Sequence, residues 1–228
     1  MNIYAIVKLL KFHRSDFMSI IYSSALNENY TVCCAGQLVY VYDKSGRELS
    51  RFPIKNAAFA VISPEGDSFA VKTTDGGVYM FSFEPTEQTG ILTAGAGESE
   101  YETGICYSPD GKALYCVETE ENGSSISAYY QNGRKETSPL DGVQLTHIEY
   151  ENGLLVLGKE DENFFAARFE SDRLTDVKYI SSEKYELYYN YKCAQMRGFT
   201  VTAVENYLPE NFDCENNGLS ISSLLKEG

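Results

Sequence analysis

An all-β fold built from repeated four-stranded antiparallel units is predicted by three observations. Five times, a short apolar run meets a tight turn and a second apolar run follows. The turns carry Asn29, Gly66, Gly111, Gly153 and Gly198, at steps of 37, 45, 42 and 45 residues. Tyr (18) and Phe (12) are plentiful beside 18 glycines, a composition that favours strands joined by turns. No amphipathic helical run of about ten residues or more competes with this reading.

Each copy reads as four strands, a to d. Strand a is expected at Met18–Ser24, Ala57–Ser63, Gly104–Ser108, Leu145–Tyr150 and Glu186–Cys193. Strand b follows the turn at Tyr30–Ala35, Ser68–Lys72, Ala113–Glu118, Leu154–Gly158 and Phe199–Val204. Strand c is expected at Leu38–Tyr42, Val78–Phe83, Ser125–Tyr130, Phe164–Phe169 and Leu219–Leu224. Strand d is expected at Glu48–Pro53, Gln88–Thr93, Lys135–Pro139 and Leu174–Ile180, and the fifth copy lacks one.

The turns have a physical logic. Ser63-Pro64-Glu65-Gly66 and Ser108-Pro109-Asp110-Gly111 put Pro where φ near −65° suits the second turn position, and Gly takes the left-handed conformation that closes the hairpin. Asn29 is expected to adopt that conformation in the first copy. Ser45-Gly46 and Asn132-Gly133 are hairpin signals between strands c and d.

Repeats of about 40 residues with four short strands predict a β-propeller, because each blade has an apolar face that a neighbour must cover. The expectation is a single domain over residues 1–228, a five-bladed ring whose last blade is closed by a strand at Ile3–Phe12. A partial six- or seven-bladed ring, or one completed by another chain, is the alternative. Ser-Pro-Asp-Gly-Lys-Ala-Leu-Tyr at 108–115 and Ser-Pro-Glu-Gly-Asp-Ser-Phe-Ala at 63–70 resemble the a–b turn of Trp-Asp-repeat-like propellers. The family's Trp-Asp and Gly-His signatures are missing, and the chain has no Trp. The resemblance implies a scaffold for protein contacts without catalysis.

A net charge of −14 and a pI near 4.6 exclude the basic footprint of a nucleic-acid binder and disfavour anionic membrane surfaces. Met1–Phe12 is apolar but interrupted by Lys8 and Lys11, with no small-residue cleavage site, so it reads poorly as a signal peptide. The six cysteines (33, 34, 106, 116, 193, 214) form no CxxC pair and no zinc spacing, which fits free thiols in a reducing cytoplasm. Cys33 and Cys34 would point to opposite faces of a strand.

Propeller topology sends d–a and b–c loops to one end and a–b and c–d turns to the other. The first end would receive Asp75, Glu98, Glu100, Glu102, Glu118, Glu120, Glu121, Glu160, Asp161, Glu162, Glu205, Glu210, Asp213 and Glu215. Lys44, Arg47, Arg134, Lys135 and Arg173 fall in or beside c–d turns, so an acidic end and a mixed end are predicted. The acidic end, with the aromatics Tyr207 and Phe212 of a long b–c segment, is the expected contact site for a basic protein partner. Loops on a rigid scaffold usually carry function.

Catalysis is not expected. The acidic runs at 118–123 and 160–163 lack the spacing of a twelve-residue calcium loop, and no metal or cofactor is implied. Asp16, Glu102, Glu149 and Glu186 lie near inner-strand positions where a glycosidase would need paired carboxylates, but no catalytic motif accompanies them. His13 and His147 show no Ser-His-Asp spacing, and there is no GxSxG elbow. The tyrosines at 185, 188, 189 and 191 read as packing in the fifth inner strand, or as a stacking platform for a small ligand or glycan.

Overall fold

The computed structural model describes residues 23–35, 37–94, 104–197 and 220–226. Sixteen strands form four antiparallel four-stranded sheets, each a meander in chain order. Sheet 1 holds β1 (Ser23–Leu26), β2 (Tyr30–Ala35), β3 (Leu38–Asp43) and β4 (Glu48–Phe52). Sheet 2 holds β5 (Ala57–Ile62), β6 (Ser68–Thr73), β7 (Val78–Phe83) and β8 (Thr86–Thr93). Sheet 3 holds β9 (Ile105–Tyr107), β10 (Ala113–Glu120), β11 (Gly123–Tyr130) and β12 (Lys135–Asp141). Sheet 4 holds β13 (Val143–Tyr150), β14 (Leu154–Glu160), β15 (Asn163–Glu170) and β16 (Arg173–Ile180). Four copies of the predicted a–b–c–d unit are therefore present. Two helices complete the described residues, α1 (Ser182–Arg197) and α2 (Ile221–Lys226).

The chain divides into two compact units, Met1–Glu98 with Lys192–Tyr207, and Ser99–Tyr191 with Leu208–Gly228. In the first, sheet 1 stacks on sheet 2. Val32 and Cys34 of β2 and Val39 and Val41 of β3 meet Phe69 and Val71 of β6 and Phe81 and Phe83 of β7. Phe69 and Phe81 stack at 4.7 Å, and Tyr30 lies on Phe83 at 4.0 Å. Cys33 and Cys34 are both buried, on opposite faces of β2, and burial pushes each thiol up to about 12.

In the second unit, sheet 4 is covered on both faces. Leu154 and Val156 of β14 with Phe165 and Ala167 of β15 pack toward Val117 and Ile126 of sheet 3. Leu155, Leu157 and Ala166, one residue out of phase, pack against Tyr185 and Tyr188 of α1 and Ile221 and Leu224 of α2. The period of two along a strand makes both rows apolar, so β14 reads as a continuous apolar run. At its centre, Gly158 leaves no room for a side chain; a Cβ there would lie 2.6 Å from the Gln144 carbonyl oxygen.

The a–b turns form as expected at Gly66 (φ 75°) and Gly111 (φ 68°), with the preceding serine as anchor. The buried Ser108 hydroxyl donates to Asp110 at 2.7 Å and accepts the Ala113 N–H at 3.0 Å. Ser63 repeats this, donating to Asp67 at 2.8 Å and accepting the Ser68 N–H at 3.2 Å. Asn29 does not enter the left-handed region. That turn is held instead by Asn27, whose Oδ1 accepts the N–H groups of Asn29 (2.9 Å) and Tyr30 (2.8 Å).

The fifth copy departs from expectation. Glu186–Cys193 is helical within α1, not a strand, and Ile221–Leu224 is helical within α2. Ser181 caps α1, accepting the Lys184 N–H at 3.3 Å through Oγ and the Tyr185 N–H through its carbonyl. Ser220 caps α2 in a reciprocal pair: its Oγ accepts the Ser223 N–H, and Ser223 Oγ accepts the Ser220 N–H, both at 3.1 Å. The expected strands Ile3–Phe12 and Phe199–Val204, and most of Met18–Ser24, lie outside the described residues.

Candidate functional site

Register gathers acidic side chains at one end of the second unit. The β10–β11 hairpin turns at Glu121 and Asn122, with Glu120 opposite Gly123. The β14–β15 hairpin turns at Asp161 and Glu162, with Glu160 opposite Asn163. One connection joins the two: Asp141 pairs with Gly123, Gly142 donates its N–H to the Asn122 carbonyl at 2.7 Å, and Val143 pairs with Glu160. Glu120, Glu121, Asp141, Glu160, Asp161 and Glu162 are all exposed there.

These carboxylates differ in what they have left to offer. Glu160 accepts the Tyr179 hydroxyl at 2.7 Å, and Glu120 accepts the Ser125 hydroxyl at 2.8 Å. Asp161 holds the turn in the left-handed conformation (φ 52°), a position Asp tolerates. Glu162 is 94% exposed, with Lys159 at 3.8 Å. A pair so exposed adds little stability and does not neutralise the turn against a partner.

Glu118 is not a loop residue. It lies within β10 and accepts the Tyr129 hydroxyl at 2.6 Å and the Lys135 ammonium at 3.1 Å. Lys135 lies 5.0 Å over the Tyr129 ring, so its charge turns inward toward Glu118 instead of marking the opposite end. Burial raises the Glu118 carboxyl, but hydrogen bonds from Tyr129, Ser127 and Lys135 outweigh it and hold the group low. The sequence reading ends strand b at Glu118, on the loop side, whereas β10 and β11 each run two residues further at that end and leave Glu118 inside the sheet. Asp141 was missed, although its place directly before Gly142 in a d–a connection was the available signal.

The opposite end of the unit is mixed in charge. Gln131, beside the β11–β12 turn, donates its N–H to the Lys112 carbonyl at 3.2 Å and its side-chain amide to Gly111. This ties a c–d turn to an a–b turn. Lys112 sits 3.0 Å from Asp110, and Arg134 pairs with Glu136. Arg173 follows Ser171 and Asp172, which hold a tight turn with φ of 51° and 61°.

Glu149 and His147 have structural partners. Glu149 accepts the Tyr188 hydroxyl at 2.8 Å and the Ile221 N–H at 2.9 Å, while Glu186 is exposed on α1. His147 is buried, with Nδ1 3.1 Å from the Thr146 hydroxyl and the Tyr188 ring edge-on at 5.1 Å. Tyr185 and Tyr188 are core residues of α1, not an inner strand, and burial followed by the Glu149 charge raises the Tyr188 phenol well above its usual value. Asp16, Glu102, His13, Tyr207 and Phe212 lie outside the described residues. Among the described residues, no group of three or more His, Cys, Asp or Glu side chains could hold a metal ion, and no helix is long and apolar enough to cross a membrane. No family model matches the chain, and no curated protein matches it.

Proposed function

We propose that the protein is a non-catalytic interaction module that binds a basic protein partner through the acidic hairpin end of its second unit. The observation that carries this reading is the register-fixed placement of Glu121, Asp161 and Glu162 at the tips of two hairpins joined through Asp141–Val143. Hairpins braced by sheet hydrogen bonds present charge with little ordering cost on binding. The scaffold reading extends the four observed meanders to a propeller-type repeat, supported by face-to-face stacking of consecutive sheets within each unit. The free thiols of Cys33, Cys34, Cys106 and Cys116, among the described residues, support a reducing cytoplasm as its place of work.

A decalysine peptide, titrated calorimetrically at low and high salt, tests the charge reading. The triple variant Glu121→Lys, Asp161→Lys, Glu162→Lys is expected to abolish salt-sensitive binding. A control with Glu65→Lys and Glu87→Lys in the first unit should retain it. Equal loss in both variants, or no binding by the unaltered chain, overturns the proposal.

A further inference from the structure

Two sites on sheet 3 share one arrangement, in which a tyrosine hydroxyl donates to a glutamate while a cation lies over the ring and on the same carboxylate. At Tyr129 the hydroxyl donates to Glu118 at 2.6 Å, and Lys135 sits 5.0 Å over the ring centroid and 3.1 Å from Glu118. At Tyr130 the hydroxyl donates to Glu136 at 2.7 Å, and Arg134 pairs with Glu136 while its guanidinium carbon lies 5.3 Å from the ring centroid. The cation gains ring attraction and an ion pair together, on a carboxylate that the phenol has already oriented.

Tyr179 and Glu160 on sheet 4 form the same tyrosine–glutamate pair at 2.7 Å. Tyr179 lies opposite Phe165 and Glu160 opposite Asn163, so the period of two puts both side chains on the face that carries Val156 and Phe165. The phenol therefore crosses β15 to reach the hairpin tip. Its hydrogen bond to Glu160, and then the Glu160 charge, raise it above its usual value, so it stays a neutral donor. Tyr179 is 58% exposed, and Val177, two residues back on β16, is 44% exposed. Among the described residues, no basic side chain pairs with Glu160 or lies over the Tyr179 ring. Lys159 turns to Glu162 at 3.8 Å, and Lys178 to the Leu225 carbonyl at 3.5 Å. The Tyr30–Glu84 pair of the first unit differs, because Phe83 stacks on that ring at 4.0 Å.

We infer that Tyr179 and Glu160 seat one arginine side chain of the basic partner, its guanidinium flat on the ring and forked onto the carboxylate, with Val177 against its aliphatic stem. The seat rests on the acidic end being the contact surface. Charge selects a cation, and the ring beside a carboxylate selects the planar guanidinium over the compact ammonium.

The test titrates the full chain with decalysine and with the same peptide carrying a single central arginine, by calorimetry and by NMR of the peptide. The arginine peptide should bind more tightly, and its δ-methylene resonance should move upfield under the ring current of Tyr179. Tyr179→Leu should remove that shift and weaken the arginine peptide about two- to fivefold, with a smaller effect on decalysine. Tyr179→Phe, which keeps the ring, should keep the shift. Equal affinity for both peptides, or an arginine resonance that does not move on the unaltered chain, overturns the seat and leaves the acidic end standing. The resonance on the unaltered chain decides this even where Tyr179→Leu fails to fold. Binding of neither peptide overturns the seat and the acidic end together.

Discussion

Glu149 and Ile221, 72 positions apart, are joined by a 2.9 Å hydrogen bond from the Ile221 N–H to the Glu149 carboxylate, whose other oxygen accepts the Tyr188 hydroxyl. A residue that reads as a candidate catalytic acid is thereby committed to holding two helices on sheet 4. Glu149→Ala removes the acceptor of two donors, each worth about 1–3 kcal/mol when left buried and unmet. Urea unfolding should show a loss of about 2–4 kcal/mol, and Tyr188→Phe alone a loss of about 1 kcal/mol. A Glu149→Ala chain as stable as the unaltered one would remove Glu149 from this role.

The four sheets were legible because their central strands are short apolar runs between turns whose residues have one conformational use. β2 and β7 match the expected bounds, and most other ends differ by one or two residues. The fifth copy was misread for a physical reason. Tyr, Leu and Cys suit strands, so Glu186–Cys193 passed as one, although Tyr185, Tyr188 and Tyr189 follow the helical spacing of three and four. Residues 182–197 also contain no Gly or Pro, and Ser181 and Ser220 were readable caps. The acidic end was legible in its turn tips. Glu118 and Asp141 were not, because strand length, fixed by the turns at Asn122 and Gly142, decides which acids leave the sheet.

Gly158 tests the close approach at the centre of sheet 4. A Cβ there meets the Gln144 carbonyl oxygen at 2.6 Å and both Leu145 and Phe165 at 3.0 Å, and backbone cannot swing aside as a side chain can. Gly158→Ala should cost about 1–3 kcal/mol by overpacking, read as a lowered urea midpoint with an unchanged m-value. A gain in stability would show that β13 yields there without strain.

The Glu118–Tyr129–Lys135 cluster separates internal from outward acids. Glu118→Gln keeps the shape but removes the charge paired with Lys135, and should cost about 1 kcal/mol. Decalysine affinity should stay within about twofold of the unaltered chain, because the carboxylate is already spent inside the sheet. A large affinity loss would instead place Glu118 in the contact surface.

Acid sensitivity should concentrate in the turns. The Ser108 hydroxyl and then Lys112 hold the Asp110 carboxyl down at about 2, and the hydroxyls of Ser63 and Ser68 lower Asp67. Asp43 is lowered chiefly by the Ser45 hydroxyl; desolvation opposes this, and the N–H groups of Arg47 and Ser45 add to the lowering. A carboxyl lower in the folded chain than in the unfolded one stabilises above its ordinary value near 4 and loses that contribution as pH falls through its folded value. Unfolding free energy should therefore drop between about pH 4 and pH 2 as these turns protonate. Asp110→Asn should flatten that drop while changing stability little at pH 2, where the native carboxyl is itself half neutral. An identical pH profile for the variant and the unaltered chain would show that the Ser108–Asp110 bond does not couple protonation to folding.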